Sequence, residues 1–130
     1  MAVDNASAPV YAAVVITGMT TTVTNRQAGT HFVARTPETF GYDSDGNLTN
    51  DGRFAYFWDA ENRLIAAEEL TSPSGRGRFR VENRYDSQSR RFRKSVYQAS
   101  SESWILNSES FFIYDGWNLV SNSPGVVIRQ

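Results

Sequence analysis

Phe54-Ala55-Tyr56-Phe57-Trp58-Asp59-Ala60-Glu61-Asn62-Arg63-Leu64 decides the fold: an aromatic-rich strand pattern stops at an Asp and resumes a few residues later. The same aromatic-Asp pair recurs at Tyr42-Asp43-Ser44-Asp45-Gly46-Asn47-Leu48, Tyr85-Asp86-Ser87-Gln88-Ser89-Arg90-Arg91 and Tyr114-Asp115-Gly116-Trp117-Asn118-Leu119-Val120. The aspartates lie 16, 27 and 29 residues apart. Self-similarity on this scale marks a repeat architecture. An Asp that opens a turn accepts hydrogen bonds from backbone N–H groups two or three residues on. The chain then needs a residue at positive φ to re-enter a strand, which Gly adopts freely and Asn tolerates best among the others. The third position after each Asp holds Gly46, Asn62, Ser89 and Asn118. The expected structural turns are therefore Asp43 with Gly46, Asp59 with Asn62, Asp86 with Ser89, and Asp115 with Asn118. Ser89 fits the column least well. The aromatic before each Asp offers a flat side chain that can stack on the neighbouring hairpin.

Outward from these corners the chain reads as strands throughout. Candidates are Val10–Thr17, Thr20–Thr24, His31–Arg35, Thr39–Tyr42, Phe54–Trp58, Arg63–Glu69, Arg78–Tyr85, Arg90–Gln98, Ser103–Leu106 and Ser110–Tyr114. Further turn signals stand at Asp51-Gly52 and Ser72-Pro73-Ser74-Gly75. Short strands at regular spacing, with few apolar residues at helical intervals, predict an all-β fold of antiparallel hairpins. Ser110–Tyr114 is apolar at alternate and intervening positions, so it is expected to be covered on both sides. Residues 1–36 lack the Tyr-Asp signature and read as a β-rich lead-in or cap, 37–121 as the hairpin repeats, and 122–130 as a tail.

These residues resemble the YD-repeat (Rhs repeat) family of large bacterial surface and toxin proteins, over about two thirds of the chain from Glu38 to Val120. Phe40 to Thr49 looks like the family's YDxxGNLT unit. Phe54 to Leu64 is similar to its YxWDAENRL unit. Tyr85 to Arg91 with Lys94 follows YDxxGRRxxK, with Ser89 in place of Gly. Phe112-Ile113-Tyr114-Asp115-Gly116-Trp117-Asn118-Leu119-Val120 looks like its FIYDGWNLV unit. The resemblance implies hairpins stacked in a twisted, solenoid-like sheet, part of a shell or scaffold that can enclose a toxic domain. It also implies a secreted or cell-surface setting, and carbohydrate binding has been associated with some family repeats. The family's self-cleaving core follows its last repeat, so neither autoproteolysis nor toxin activity is expected of this stretch.

Composition narrows the chemistry. The length of 130 residues suits one domain, and 40% hydrophobic with 13% aromatic residues argues against disorder. The absence of cysteine excludes disulfides, thiolate metal sites and cysteine nucleophiles. The first residues carry no basic region and Val10–Ile16 is too short to span a bilayer. Neither a signal peptide in this stretch nor membrane insertion is expected; an export signal would belong to a larger parent chain.

The formal net charge of −1 hides a split. From Glu38 to Glu69 there are eight acidic and two basic residues, and from Arg76 to Lys94 eight basic and two acidic. Cross-strand ion pairs between the two hairpins are the leading reading. Polyanion binding through Arg76–Lys94 is the alternative, and nucleic acid is disfavoured by the near-neutral total. Asp43, Asp45 and Asn47 alternate as in a calcium loop. However, Leu48 stands where an EF-hand needs Gly and Phe54 where it needs an acid, so no metal is expected. His31, the single histidine, has no nucleophile motif beside it, and Glu68-Glu69 would point to opposite strand faces. No catalytic residue, cofactor or enzyme activity is expected. Trp58, Trp104 and Trp117 are expected chiefly to pack in the sheet, with sugar stacking on exposed rings as the alternative reading. The expected partners are neighbouring repeats, a second copy through exposed sheet edges, and carbohydrate as the alternative.

Overall fold

A computed structural model describes residues 3–73, 75–101 and 103–125. These contain ten strands and no helix: β1 (Val10–Met19), β2 (Thr24–Val33), β3 (Gly41–Tyr42), β4 (Leu48–Asn50), β5 (Phe54–Trp58), β6 (Leu64–Glu69), β7 (Phe79–Tyr85), β8 (Arg91–Ala99), β9 (Trp104–Asp115) and β10 (Asn118–Pro124). The chain divides into two compact units between Thr39 and Phe40, a little beyond the expected boundary at 36.

The first unit is one long hairpin, β1 against β2, paired without interruption from Val10↔Val33 to Met19↔Thr24. Thr20–Thr24, expected as a strand from its β-branched residues, is instead the loop up to Val23, and Thr24 opens β2. The Thr20 hydroxyl accepts the Val23 amide at 3.0 Å and the Thr20 amide donates to the Val23 carbonyl at 2.8 Å, a local closure that competes with strand pairing. At the open end Asn5 donates to the Ala34 carbonyl at 2.6 Å, and Tyr11 meets Phe32 edge-on at 5.5 Å.

The second unit is one antiparallel sheet of eight strands in the order β10-β9-β8-β7-β6-β5-β4-β3. Each strand lies beside its sequence neighbour, so every connection is a hairpin. β9 joins the two candidates at 103–106 and 110–114, because Ser108 and Glu109 are carried by pairing with Val96 and Ser95. Leu48–Asn50 is too short to read as a strand. Asn118–Pro124 is disguised by its Asn, Ser and Pro content, so residues 122–124 belong to the sheet rather than to a tail. Ser74 and residues 126–130, within the expected turn and tail, lie outside the described residues.

The core is thin. Ala66 is the buried apolar residue among those described, joined by Glu69, Asn83 and Ser95, all on β6, β7 and β8. Phe57, Ile65, Phe92 and Ile105 remain exposed. The expectation that Ser110–Tyr114 is covered on both sides does not hold: Phe111 is 38% and Ile113 55% exposed. A single-layer sheet leaves one side of such a strand to solvent.

Candidate functional site: the corner rim

Because every connection is a hairpin, alternate turns fall at one end of the sheet. The turns joining β3–β4, β5–β6, β7–β8 and β9–β10 are the four aromatic-Asp corners, so the corners form a row along one rim.

Three corners share one construction. The Asp43 Oδ1 accepts the amides of Asp45 at 3.0 Å and Asn47 at 2.8 Å. Asp59 Oδ1 accepts those of Glu61 and Arg63, both at 3.0 Å. Asp86 Oδ1 accepts those of Gln88 at 2.9 Å and Arg90 at 3.0 Å. The second carboxylate oxygen takes a side-chain donor at the fourth position: Asn47 Nδ2 at 3.0 Å, Arg63 Nε at 2.8 Å and Arg90 Nε at 2.8 Å. The backbone closes with the amides of Gly46, Asn62 and Ser89 donating to the Asp carbonyls. These three residues sit at φ of +85°, +58° and +61°. At Ser89 the residue type disfavours that conformation, but the Asp86 hydrogen bonds impose it.

The donors set the carboxylates' acidity. At Asp43 the Asn47 side chain and amide hold the group below its ordinary value. At Asp59 desolvation pushes up, but the Arg63 amide and guanidinium outweigh it and the group ends lower. At Asp86 the Arg90 amide leads and the result is again downward.

The fourth corner differs, and here the expected residue is corrected. Asp115 pairs with Asn118 across a loop of two residues, Gly116 and Trp117, with the positive φ at Gly116 (+57°). Positive φ at the first loop residue is the pattern of a II′ hairpin. Asn118 is not the positive-φ residue; it is the first residue of β10. The loop is one residue shorter, so counting from Asp slips the column by one. Strand register aligns the corners differently. Tyr42 pairs with Leu48, Trp58 with Leu64, Tyr85 with Arg91 and Tyr114 with Leu119. Asn118 is thus the counterpart of Asn47, Arg63 and Arg90.

In that register a second regularity emerges, which counting from Asp had missed. The aromatic of each of the last three corners donates to the carbonyl of the residue that faces the previous corner's aromatic. Trp58 Nε1 donates to Leu48 O at 2.8 Å, Tyr85 Oη to Leu64 O at 2.9 Å and Tyr114 Oη to Arg91 O at 3.0 Å. The residue just before that carbonyl reaches forward as well. Asn47 donates to Asn62 Oδ1 at 2.7 Å, Arg63 to Ser89 Oγ at 3.2 Å and Arg90 to the Gly116 carbonyl. Arg63 and Arg90 also lie over the next rings, Tyr85 at 5.2 Å and Tyr114 at 5.4 Å. Successive corners are therefore linked each time by the same backward bond to a backbone carbonyl and by a forward-reaching side chain whose partner varies.

The charged hairpins meet across β6 and β7. Glu68 faces Arg78 at 3.2 Å and Arg80 at 3.0 Å, and Arg80 also holds Glu82 at 2.9 Å. Glu69, nearly buried, takes Arg76 at 2.9 Å and the Phe79 amide at 2.9 Å. Arg93 Nε lies 3.7 Å from Glu109, close enough for charge attraction but too far for a hydrogen bond. His31 is exposed on β2. No group of three or more His, Asp or Glu residues able to hold a metal occurs among the described residues. Of the tryptophans, Trp58 is half-buried with its N–H engaged, Trp104 is half-buried beneath Arg78 at 5.6 Å, and Trp117 is 74% exposed at the fourth corner. The structure does not bring the three rings to one site.

The sheet and rim define an all-β protein of serial antiparallel hairpins. No family model matches the chain. It is 37% identical over 59 residues to the tRNA nuclease WapA of Bacillus subtilis strain 168, a match covering 45% of this chain and 2% of that protein. The tRNA3(Ser)-specific nuclease WapA of Bacillus spizizenii and the tRNA(Glu)-specific nuclease WapA of Bacillus subtilis subsp. natto match to the same extent. The chain thus spans about 2% of the length of these curated relatives.

Proposed function

We propose that this chain is a YD-repeat structural module: a segment of a β scaffold belonging to a secreted or surface toxin-type bacterial protein. The observation that carries this is the bond that recurs between successive corners, from each later aromatic back to the equivalent carbonyl. The aromatics of three corners spend their polar atoms on the neighbouring hairpin, which is how a stacking unit uses them, not a binding platform. Propagated along a longer chain, the same linkage would wind hairpins into a twisted, solenoid-like sheet whose partners are further repeats. The partial similarity to much longer relatives named as nucleases fits a scaffold segment. The nuclease activity in those names belongs to those proteins and is not proposed for this stretch. The guanidiniums of Arg76, Arg78, Arg80 and Arg90 already face carboxylates, which weighs against polyanion binding.

The test is Tyr85→Phe, which keeps the ring and removes the donor to Leu64. The loss expected by urea denaturation is about 1 kcal/mol. An unchanged midpoint would mean the linkage does not hold the sheet together. A second reading, carbohydrate binding, is favoured by Trp117 alone. Binding on a glycan array that disappears in Trp117→Ala would support it.

A further inference from the structure

The linkage has a direction, and the two edges of the sheet carry its two unused halves. On the β3 edge stands Tyr42, the first corner's aromatic. It is 63% exposed, and its hydroxyl has no hydrogen-bond partner among the described residues, whereas Trp58, Tyr85 and Tyr114 all donate backwards. On the β10 edge stand Asn118 and Leu119, the fourth corner's forward-reaching residue and its carbonyl partner. Leu119 is 53% exposed, and the Asn118 side chain has no hydrogen-bond partner among the described residues. Asn118-Leu119 repeats Asn47-Leu48 in identity and in register, and Asn47-Leu48 is the pair that receives Trp58.

We infer that the β10 edge takes up the β3 edge of a second copy of this chain, head to tail. This rests on the reading of the chain as a stacking module. Tyr42 of the second copy donates to the Leu119 carbonyl as Trp58 does to Leu48, and Asn118 faces the second copy's first turn. Strand direction permits it. β10 leaves its corner as β4 does, and β3 approaches its corner as β5 does, so the new pair is antiparallel with all corners on one rim. Leu119, Val120 and Phe40, at 53%, 60% and 52% exposed, supply apolar area beside the polar contacts. Such a contact is heterologous, so it adds copies without closing a two-fold dimer.

The full chain is expected to gain mass with concentration in analytical ultracentrifugation, with no single end point. Tyr42→Asp breaks one edge and Leu119→Lys the other; each is expected to sediment as a single chain with an unchanged melting temperature. Mixing the two variants is expected to restore one-to-one pairs, because each retains one intact edge. Three results overturn the inference: wild type that stays at the mass of one chain, variants that associate as wild type does, or mixed variants that stay apart. If Tyr85→Phe still lowers stability in that case, the stacking module stands and the docking of a second copy falls.

Discussion

A corner aspartate fixes five residues of backbone by collecting donors that water would otherwise satisfy. Asp43, Asp59 and Asp86 are held below the ordinary carboxylate value of 3.8 by those donors. A depressed native value means the charged form is favoured by folding. The contribution is present above 3.8 and is lost as pH falls through the lower native values. The melting temperature is therefore expected to drop below about pH 4. In Asp59→Asn it should already be lower at neutral pH and fall less steeply in acid, as read by circular dichroism. The opposite limb belongs to Tyr56. Burial and the hydrogen bond to Asp51 at 2.7 Å raise its phenol from 10.0 to about 12. A raised value favours the neutral form in the folded state. That stability is whole below 10.0 and disappears as pH climbs toward about 12. Tyr56→Phe is expected to shift less between those two pH values than wild type does.

At the level of elements, the sequence was most legible where an aromatic strand met a turn with one spelling. Phe54–Trp58 has the expected bounds because Asp51 and Asp59 stop it on both sides. The fourth corner departs from the expected column because Asp-Gly shortens the loop by one residue; the residues facing the aromatics, Leu48, Leu64, Arg91 and Leu119, keep register where counting from Asp does not. The forward linkage was not visible for the same reason. Arg63 touching Ser89 joins residues 26 apart, and nothing local spells that contact. The turns at the opposite end of the sheet follow other rules. Before β7, Gly77 lies against the carbonyl of Ala99, so a methyl group there would strike backbone rather than a movable side chain. Gly77→Ala is expected to cost about 1–3 kcal/mol. Urea denaturation would check it, with Gly46→Ala as a comparison in which the space is open and the strain comes from φ alone.

Across the whole chain, burial is distributed unevenly, and this makes a prediction about where structure persists. Ala66, Glu69, Asn83 and Ser95, the buried residues among those described, sit on three adjacent central strands. Those strands are also tied by the Glu68 and Glu69 ion pairs and by the Asn83 side-chain Nδ2 donating to the Leu64 carbonyl at 3.0 Å. β1 and β2 have twenty residues in perfect register, yet Val15, Ile16 and Met19 are 47%, 65% and 76% exposed. Two-stranded hairpins are marginal in water because they hide little apolar area for the entropy lost on ordering the chain. Pairing alone should therefore not protect the first unit, whereas modest burial should protect the centre of the second. Native-state hydrogen exchange is expected to rank amides of β6, β7 and β8 slowest, those of β3 and β10 faster, and those of β1 and β2 fastest. Slow exchange throughout β1 and β2 would mean that their exposed aliphatic residues are covered in solution, by a partner or by assembly. Repeating the measurement in Leu119→Lys separates the two: protection that persists in the single chain cannot come from copies stacked edge to edge.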